Sequence, residues 1–350
     1  MKYGLSTLPV LVLVSSVVLI LGSSLLHKKL TSFKEKLQTF SSLDRTIQRE
    51  VTVPLSFSIK ALSPDRKTAL ITGMPKWTYL AGLWDLQTGQ YYPLKENSFI
   101  SAAVFSSDNK TFLVATAHST VFLYDTATQK ELLRLEGDFY YLSDALALSP
   151  DGKQAAIARD EDFIVYLYDL HTKQELSTLK GHSDILRSIA FNSQGKALVT
   201  GSRDKTARVW DETGAELLCL KGHTGAVITA VFSPDGQTIL TGSADNSVRL
   251  WDAHTGKELG VFTGHTARVL SVAYNPTSTR ILTGSADNTV RLWDIETKKE
   301  VATLKKHSDF VYDVAFSPDE KTIITASLKT LRIEYNPLMR GSIQQIHSLA

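Results

Sequence analysis

The apolar positions of this chain follow three rhythms. Leu5 to Leu26 is an unbroken, uncharged run. Leu30, Phe33, Leu37, Phe40, Leu43 and Ile47 then recur every three or four residues, the spacing of a single helical face. From residue 51 onward the apolar residues come in short runs, such as Thr238-Ile239-Leu240 and Val314-Ala315-Phe316. Clusters of Ser, Pro, Asp and Gly bound these runs, a pattern that predicts strands joined by tight turns.

The strand region repeats itself. The stretch from Ile239 to Asp252 reads ILTGSADNSVRLWD and returns from Ile281 to Asp294, with Ser247 against Thr289 as the sole difference. A weaker copy, LVTGSRDKTARVWD, runs from Leu198 to Asp211, so the period is 41 to 42 residues, as in radial β-sheet arrays. A turn tetrapeptide marks the phase, starting at Ser63, Ser106, Ser149, Asn192, Ser233, Asn275 and Ser317. Ser or Asn first, Pro second and Gly fourth suit a type I turn, with the first side chain bonding backbone two residues on. Seven such turns predict seven units.

Two further markers keep the same phase. Trp84-Asp85, Tyr124-Asp125, Tyr168-Asp169, Trp210-Asp211, Trp251-Asp252 and Trp293-Asp294 close the third strands, and Glu334-Tyr335 stands there in the last unit. Gly181-His182, Gly222-His223 and Gly264-His265 precede first strands, with Lys306-His307 as a degenerate version. These residues resemble a WD-repeat β-propeller over residues 51–346, closest in 181–294. The resemblance implies four-stranded antiparallel blades packed face to face, which accounts for strands such as SVRLWD being apolar on both sides.

The same resemblance implies a buried hydrogen-bonded set in each good blade. In the fifth it would run from the Trp251 indole to Ser243, from Ser243 to His223 and from His223 to Asp245. The equivalent sets are His182, Ser202, Asp204, Trp210 and His265, Ser285, Asp287, Trp293. Each of these groups needs a partner when buried, and each could supply the next. Ser, His and Asp also suggest a catalytic triad, but three copies, each locked to a Trp, argue for structure. His118, Lys329 and the acidic trio Asp160-Glu161-Asp162 depart from the pattern, so the second, third and seventh blades are expected to rely on apolar packing. Arg208, Arg249 and Arg291 recur in third strands, where their stems are expected to cover apolar surface.

The family's propellers bind peptides on the face formed by loops leading into the first strands. Carried onto this chain, those loops hold Asp184, Arg187, Arg268, Asp309, Phe310 and Tyr312, with Arg203 just before a blade Asp. Phe139, Tyr140 and Tyr141 form a second candidate and Trp77 with Tyr79 a weaker one. Ring closure has two candidates, Ser342 to Ile346 or Asp44 to Thr52, as the fourth strand of the last blade.

Leu5 to Leu26 would span about 33 Å as a helix, close to the thickness of bilayer hydrocarbon. We read it as a transmembrane anchor; a cleaved signal peptide is the competing reading, since Gly22, Ser23 and Ser24 offer small residues for cleavage. Lys28, Lys29, Lys34 and Lys36 follow it and only Lys2 precedes it, so the positive-inside tendency puts the propeller in the cytoplasm, with a periplasmic or extracellular placement as the alternative. The striped segment that follows is expected to be a helical stalk that dimerises or lies on anionic lipid, or else packs beneath the propeller. The expected organisation is an anchor over 1–26, a stalk over 27–50 and the propeller over 51–350: an all-β, seven-bladed WD-repeat β-propeller preceded by an N-terminal transmembrane helix and short helical stalk.

Charge and composition narrow the function. The chain carries +2 in total, but residues 1–50 hold seven Lys/Arg against three acids, which leaves the remainder at −2. Nucleic-acid binding needs a domain-scale basic surface, so it is not expected. Cys219, the single cysteine, excludes an internal disulfide and reads as a small buried hydrophobe. No metal-ligand spacing and no phosphate-binding glycine loop is visible, so no cofactor is expected. The reading is a non-catalytic, membrane-anchored scaffold for protein or peptide partners; the alternative is an exported propeller enzyme of the hydrolase or quinone-cofactor dehydrogenase type.

Overall fold

The computed structural model describes residues 47–339, apart from 53–56, 66, 74–79, 87, 96–99, 117–119, 137–141, 305 and 328–329. The anchor run, the stripe up to Leu43, Trp77 and Tyr79, His118, Phe139 to Tyr141, Lys329 and the candidate closing segment Ser342 to Ile346 lie outside the described residues. Among the described residues no helix is long and apolar enough to cross a membrane.

Twenty-eight strands, numbered in chain order, form seven four-stranded antiparallel sheets. Six blades use consecutive strands: β2–β5 (57–93), β6–β9 (100–136), β10–β13 (142–179), β14–β17 (186–221), β18–β21 (227–262) and β22–β25 (269–303). The seventh has only β26 (Val311–Phe316), β27 (Thr322–Ser327) and β28 (Thr330–Tyr335) from its own repeat. Its outer strand is β1 (Ile47–Thr52), paired antiparallel with β28 from Thr52 opposite Thr330 to Ile47 opposite Glu334. The N-terminal candidate therefore closes the ring. This corrects the stalk boundary at residue 50: Ile47 to Glu50 are strand, because pairing with β28 supplies backbone partners that a surface helix would not use.

Second strands are buried almost throughout, as in β15 (Ala197–Ser202), β19 (Thr238–Ser243) and β23 (Arg280–Ser285). A neighbouring blade covers each face, so both sides of the strand are apolar. The blade-to-blade core closes the circle too: Leu62, Ala69 and Ile71 of the first blade pack with Ile324, Ala326 and Leu331 of the seventh. Outer strands begin exposed, leaving Leu132, Leu176, Leu217 and Val301 on the rim. Cys219 lies in such a strand and is half-buried rather than enclosed.

The turns keep their phase but close by a different bond from the one expected. Ser233 Oγ donates to Asp235 at 2.5 Å and accepts the Thr238 N–H, five residues on, at 2.9 Å. It is the Asp235 carboxylate that accepts an amide two residues on from itself, that of Gln237, at 3.0 Å. The fourth turn residue is left-handed, with φ +72° at Gly236, +56° at Ser278 and +57° at Glu320. Glu320 holds its place by accepting from Asn275 (3.0 Å) and Thr277 (3.1 Å) of the preceding blade, so the turns also stitch neighbours together.

Candidate functional site

The blade networks form, but with a different hydroxyl. In the fifth blade the Trp251 indole N–H donates to Thr241 Oγ1 at 2.9 Å, and Thr241 lies 2.8 Å from His223 Nε2. His223 Nδ1 faces Asp245 Oδ2 at 2.8 Å. The carboxylate draws the imidazole proton to Nδ1, leaving Nε2 to accept from the threonine hydroxyl. Thr200 and Thr283 hold the same place for His182 with Trp210 and for His265 with Trp293. Ser202, Ser243 and Ser285 were the expected link and are not it. Ser243 donates to the Gly225 carbonyl at 3.1 Å and accepts the Asp245 amide at 3.1 Å. Threonine and serine share a strand face two residues apart, about 6.6 Å, so only the one nearer the Trp can bond it.

Electrostatics fit this wiring. Burial raises the Asp245 and Asp287 carboxyls, but hydrogen bonds from Ser247 and His223, and from Thr289 and His265, outweigh it and hold both at about 2. Burial lowers His223 and His265, against the pull of their aspartates. Arg208 and Arg291 reach outer-strand Glu216 and Glu300 at 2.5 Å, and Arg249 likewise engages Glu258. These arginines therefore end in ion pairs besides covering the tryptophan edge beside Gly181, Gly222 and Gly264.

The irregular blades use other means. In the second, Val114 replaces the threonine, and Phe112 stacks on Tyr124 with centroids 5.2 Å apart. In the third, Arg159 lies over the Tyr166 ring and engages Asp162, giving that acid a structural partner. The seventh lacks the complete network but keeps half of it. His307 Nε2 bonds Thr325 at 2.8 Å, while Nδ1 meets Thr330 at 3.3 Å where other blades have Asp. Glu334 takes the register of the missing Trp.

His307 supplies a pH prediction. Burial and the nearby Arg332 push it from the ordinary 6.5 to about 4. Between those values the unfolded chain takes up a proton that the folded chain refuses, so stability falls as pH drops below 6.5 and the contribution levels off beneath about 4. The loss is about 3 kcal/mol across that window. Urea midpoints at pH 7 and pH 4.5 should show it, with a shallower fall in His307→Gln; equal falls would assign the acid sensitivity elsewhere.

The loop residues converge on the end of the blades opposite the tetrapeptide turns. First strands from all seven blades line a central channel of about 840 Å³. Arg187, Ile228, Leu270 and Tyr312, each second in its strand, stand at equivalent wall positions. Phe310 and Tyr312 are 37% and 44% exposed, with ring centroids 6.2 Å apart. Burial and Asp309 raise the Tyr312 phenol while Arg268 opposes them, so both charges act on that ring. Arg203 is exposed at the mouth of the fourth blade, where its amide bonds Ile185, and Asp184 lies half-buried beside it. Among the described residues, no three His, Cys, Asp or Glu side chains gather in a group that could hold a metal.

The description "WD domain, G-beta repeat" matches residues 173–211, 214–252, 256–294 and 298–333. The chain carries four WD repeats. Each matched WD repeat starts at or near the outer strand of one blade and ends in the third strand of the next, so every repeat ties two blades and the last blade lacks an outer strand until β1 supplies it. Transcription factor unc-37 of Caenorhabditis elegans is 37% identical over 118 residues, 34% of this chain and 19% of that protein. Serine-threonine kinase receptor-associated protein of Dictyostelium discoideum is 33% identical over 128 residues, 37% of this chain and 42% of that protein. The chain thus spans less than half the length of these WD-repeat relatives. In the crystal structure of the mitotic checkpoint complex, one chain shares the fold with a TM-score of 0.72 at 20% identity, covering 84% of this chain and 94% of that one.

Proposed function

We propose that this WD-repeat protein is a non-catalytic scaffold, anchored in a membrane through residues 5–26, that holds protein partners at the mouth of its propeller on the cytoplasmic side. One contrast carries the reading. The histidines, threonines and tryptophans that could do chemistry are spent on one another inside the blades, while Phe310 and Tyr312 stand partly exposed at the mouth with their rings 6.2 Å apart. Exposed aromatic pairs beside polar groups are the composition of binding hot spots. Within the seventh blade, Ile47 lies at the end opposite Phe310.

A photo-crosslinking residue at position 312, irradiated in intact cells, should yield discrete protein adducts that Phe310→Ala abolishes without lowering the melting temperature. Adducts only to lipid, or none, would remove the mouth as the binding face. Protease added outside intact cells should leave the propeller uncut; its digestion would move the domain to the far side of the membrane.

A further inference from the structure

Arginine usage separates the mouth from the rest of the propeller. Seven arginines with described side chains are engaged: Arg134, Arg159, Arg208, Arg249, Arg280 and Arg291 by carboxylates, and Arg332 by the Lys306 carbonyl. The remaining three, Arg187, Arg203 and Arg268, have no ion pair or side-chain hydrogen bond, and all three lie at the mouth. No ion pair joins them to the neighbouring acids, whose hydrogen bonds go to other donors. Asp184 accepts the Ile185 amide and Asp309 the Phe310 amide, while Asp313 accepts from Ser271. Between the guanidinium groups runs an apolar arc, Ile228, Leu270 and Tyr312, with Phe310 above it.

We infer that the mouth takes an acidic peptide segment, its carboxylates gripped by Arg187, Arg203 and Arg268 and an adjacent aliphatic or aromatic side chain laid on the arc. The inference rests on the proposed scaffold role and gives its partner a chemistry. Guanidinium forks suit carboxylates, and three of them left unmatched beside apolar surface favour a ligand that supplies both charge and a hydrophobic anchor. A nucleic acid would meet a propeller that is not basic as a whole; the three unpaired arginines sit on blades four and six, whereas the third blade presents Asp160, Glu161 and Asp162 at the same end.

Short random peptides displayed on phage and selected on the detergent-solubilised full chain test this. Asp or Glu next to Leu, Ile or Phe should be enriched, and synthetic versions should bind about tenfold more tightly than copies with Lys in place of the acids. Affinity should fall with salt, and Arg187→Glu with Arg268→Glu should remove the preference while the melting curve stays unchanged. Enrichment of basic peptides, equal binding of acidic and lysine copies, or tighter binding of a single-stranded oligonucleotide would overturn the inference. Crosslinked partners that depend on Phe310 but not on either arginine would overturn it while leaving the scaffold reading in place. Loss of all adducts in the wild type would instead sink the scaffold reading.

Discussion

Deleting residues 1–52 is expected to destroy cooperative folding of the propeller, whereas deleting 1–46 leaves it folded. The difference is one strand. β1 is the outer member of the seventh sheet, and its ladder with β28 runs from Thr52 opposite Thr330 to Ile47 opposite Glu334. Removing it strips backbone partners from β28 at about 1 kcal/mol each, roughly 5 kcal/mol in all and a large part of a domain's net stability. It also bares an edge next to the buried Leu331, an invitation to strand pairing between molecules. The strand further links the seventh blade covalently to the first, whose Leu62, Ala69 and Ile71 pack on Ile324 and Ala326. Circular dichroism melts and gel filtration of the two truncations decide the point. Matching melts and monomeric elution for both would show that the first blade's packing on the seventh suffices.

Most of the fold was legible because its markers are local. Ser233-Pro234-Asp235-Gly236 makes its turn from its own side chains, and such tetrapeptides count the blades without any knowledge of what pairs with what. What escaped was long-range. Ile47 sits four residues after Leu43 and so extends a helical stripe, yet the partner that fixes its state, Glu334, is at the other end of the chain. The arginine pairs hid for a similar reason. Glu216 and Glu258 lie across a turn from Arg208 and Arg249, on the next strand, and only sheet register brings them together.

The candidate site divides the same way. The loops that carry Arg268, Asp309 and Phe310, and the strand start that carries Tyr312, could be placed at one end of the ring from blade phase alone. That Arg187, Arg203 and Arg268 lack partners, while seven other arginines have them, depends on side-chain positions that spacing does not encode. The serine assignment failed at a finer scale. ILTGS puts Thr241 and Ser243 on one face, and period-two reasoning cannot choose between them. Register chooses: Thr241 lies opposite Arg249, two residues from Trp251, while Ser243 ends its strand under the loop of Gly225.

Thr241→Val is therefore expected to cost about 4 kcal/mol, and Ser243→Ala about half as much. Valine fills the same volume but leaves the Trp251 N–H and His223 Nε2 without partners, both nearly sealed from water, at about 1 to 3 kcal/mol each. Ser243→Ala removes a bond to a carbonyl at the strand end and one to the Asp245 amide, groups close enough to the surface for water to replace them in part. Thr241→Ser should restore most of the loss, because the hydroxyl and not the methyl joins indole to imidazole. Urea midpoints of the three variants provide the measurement, and Thr283→Val in the sixth blade repeats it on an independent copy. Combined, the two valine variants should add, since each network is confined to its own blade. A serine variant that costs as much as the valine one would mean that the histidine looks to Ser243 after all, and the register of Thr241 opposite Arg249 could not then stand.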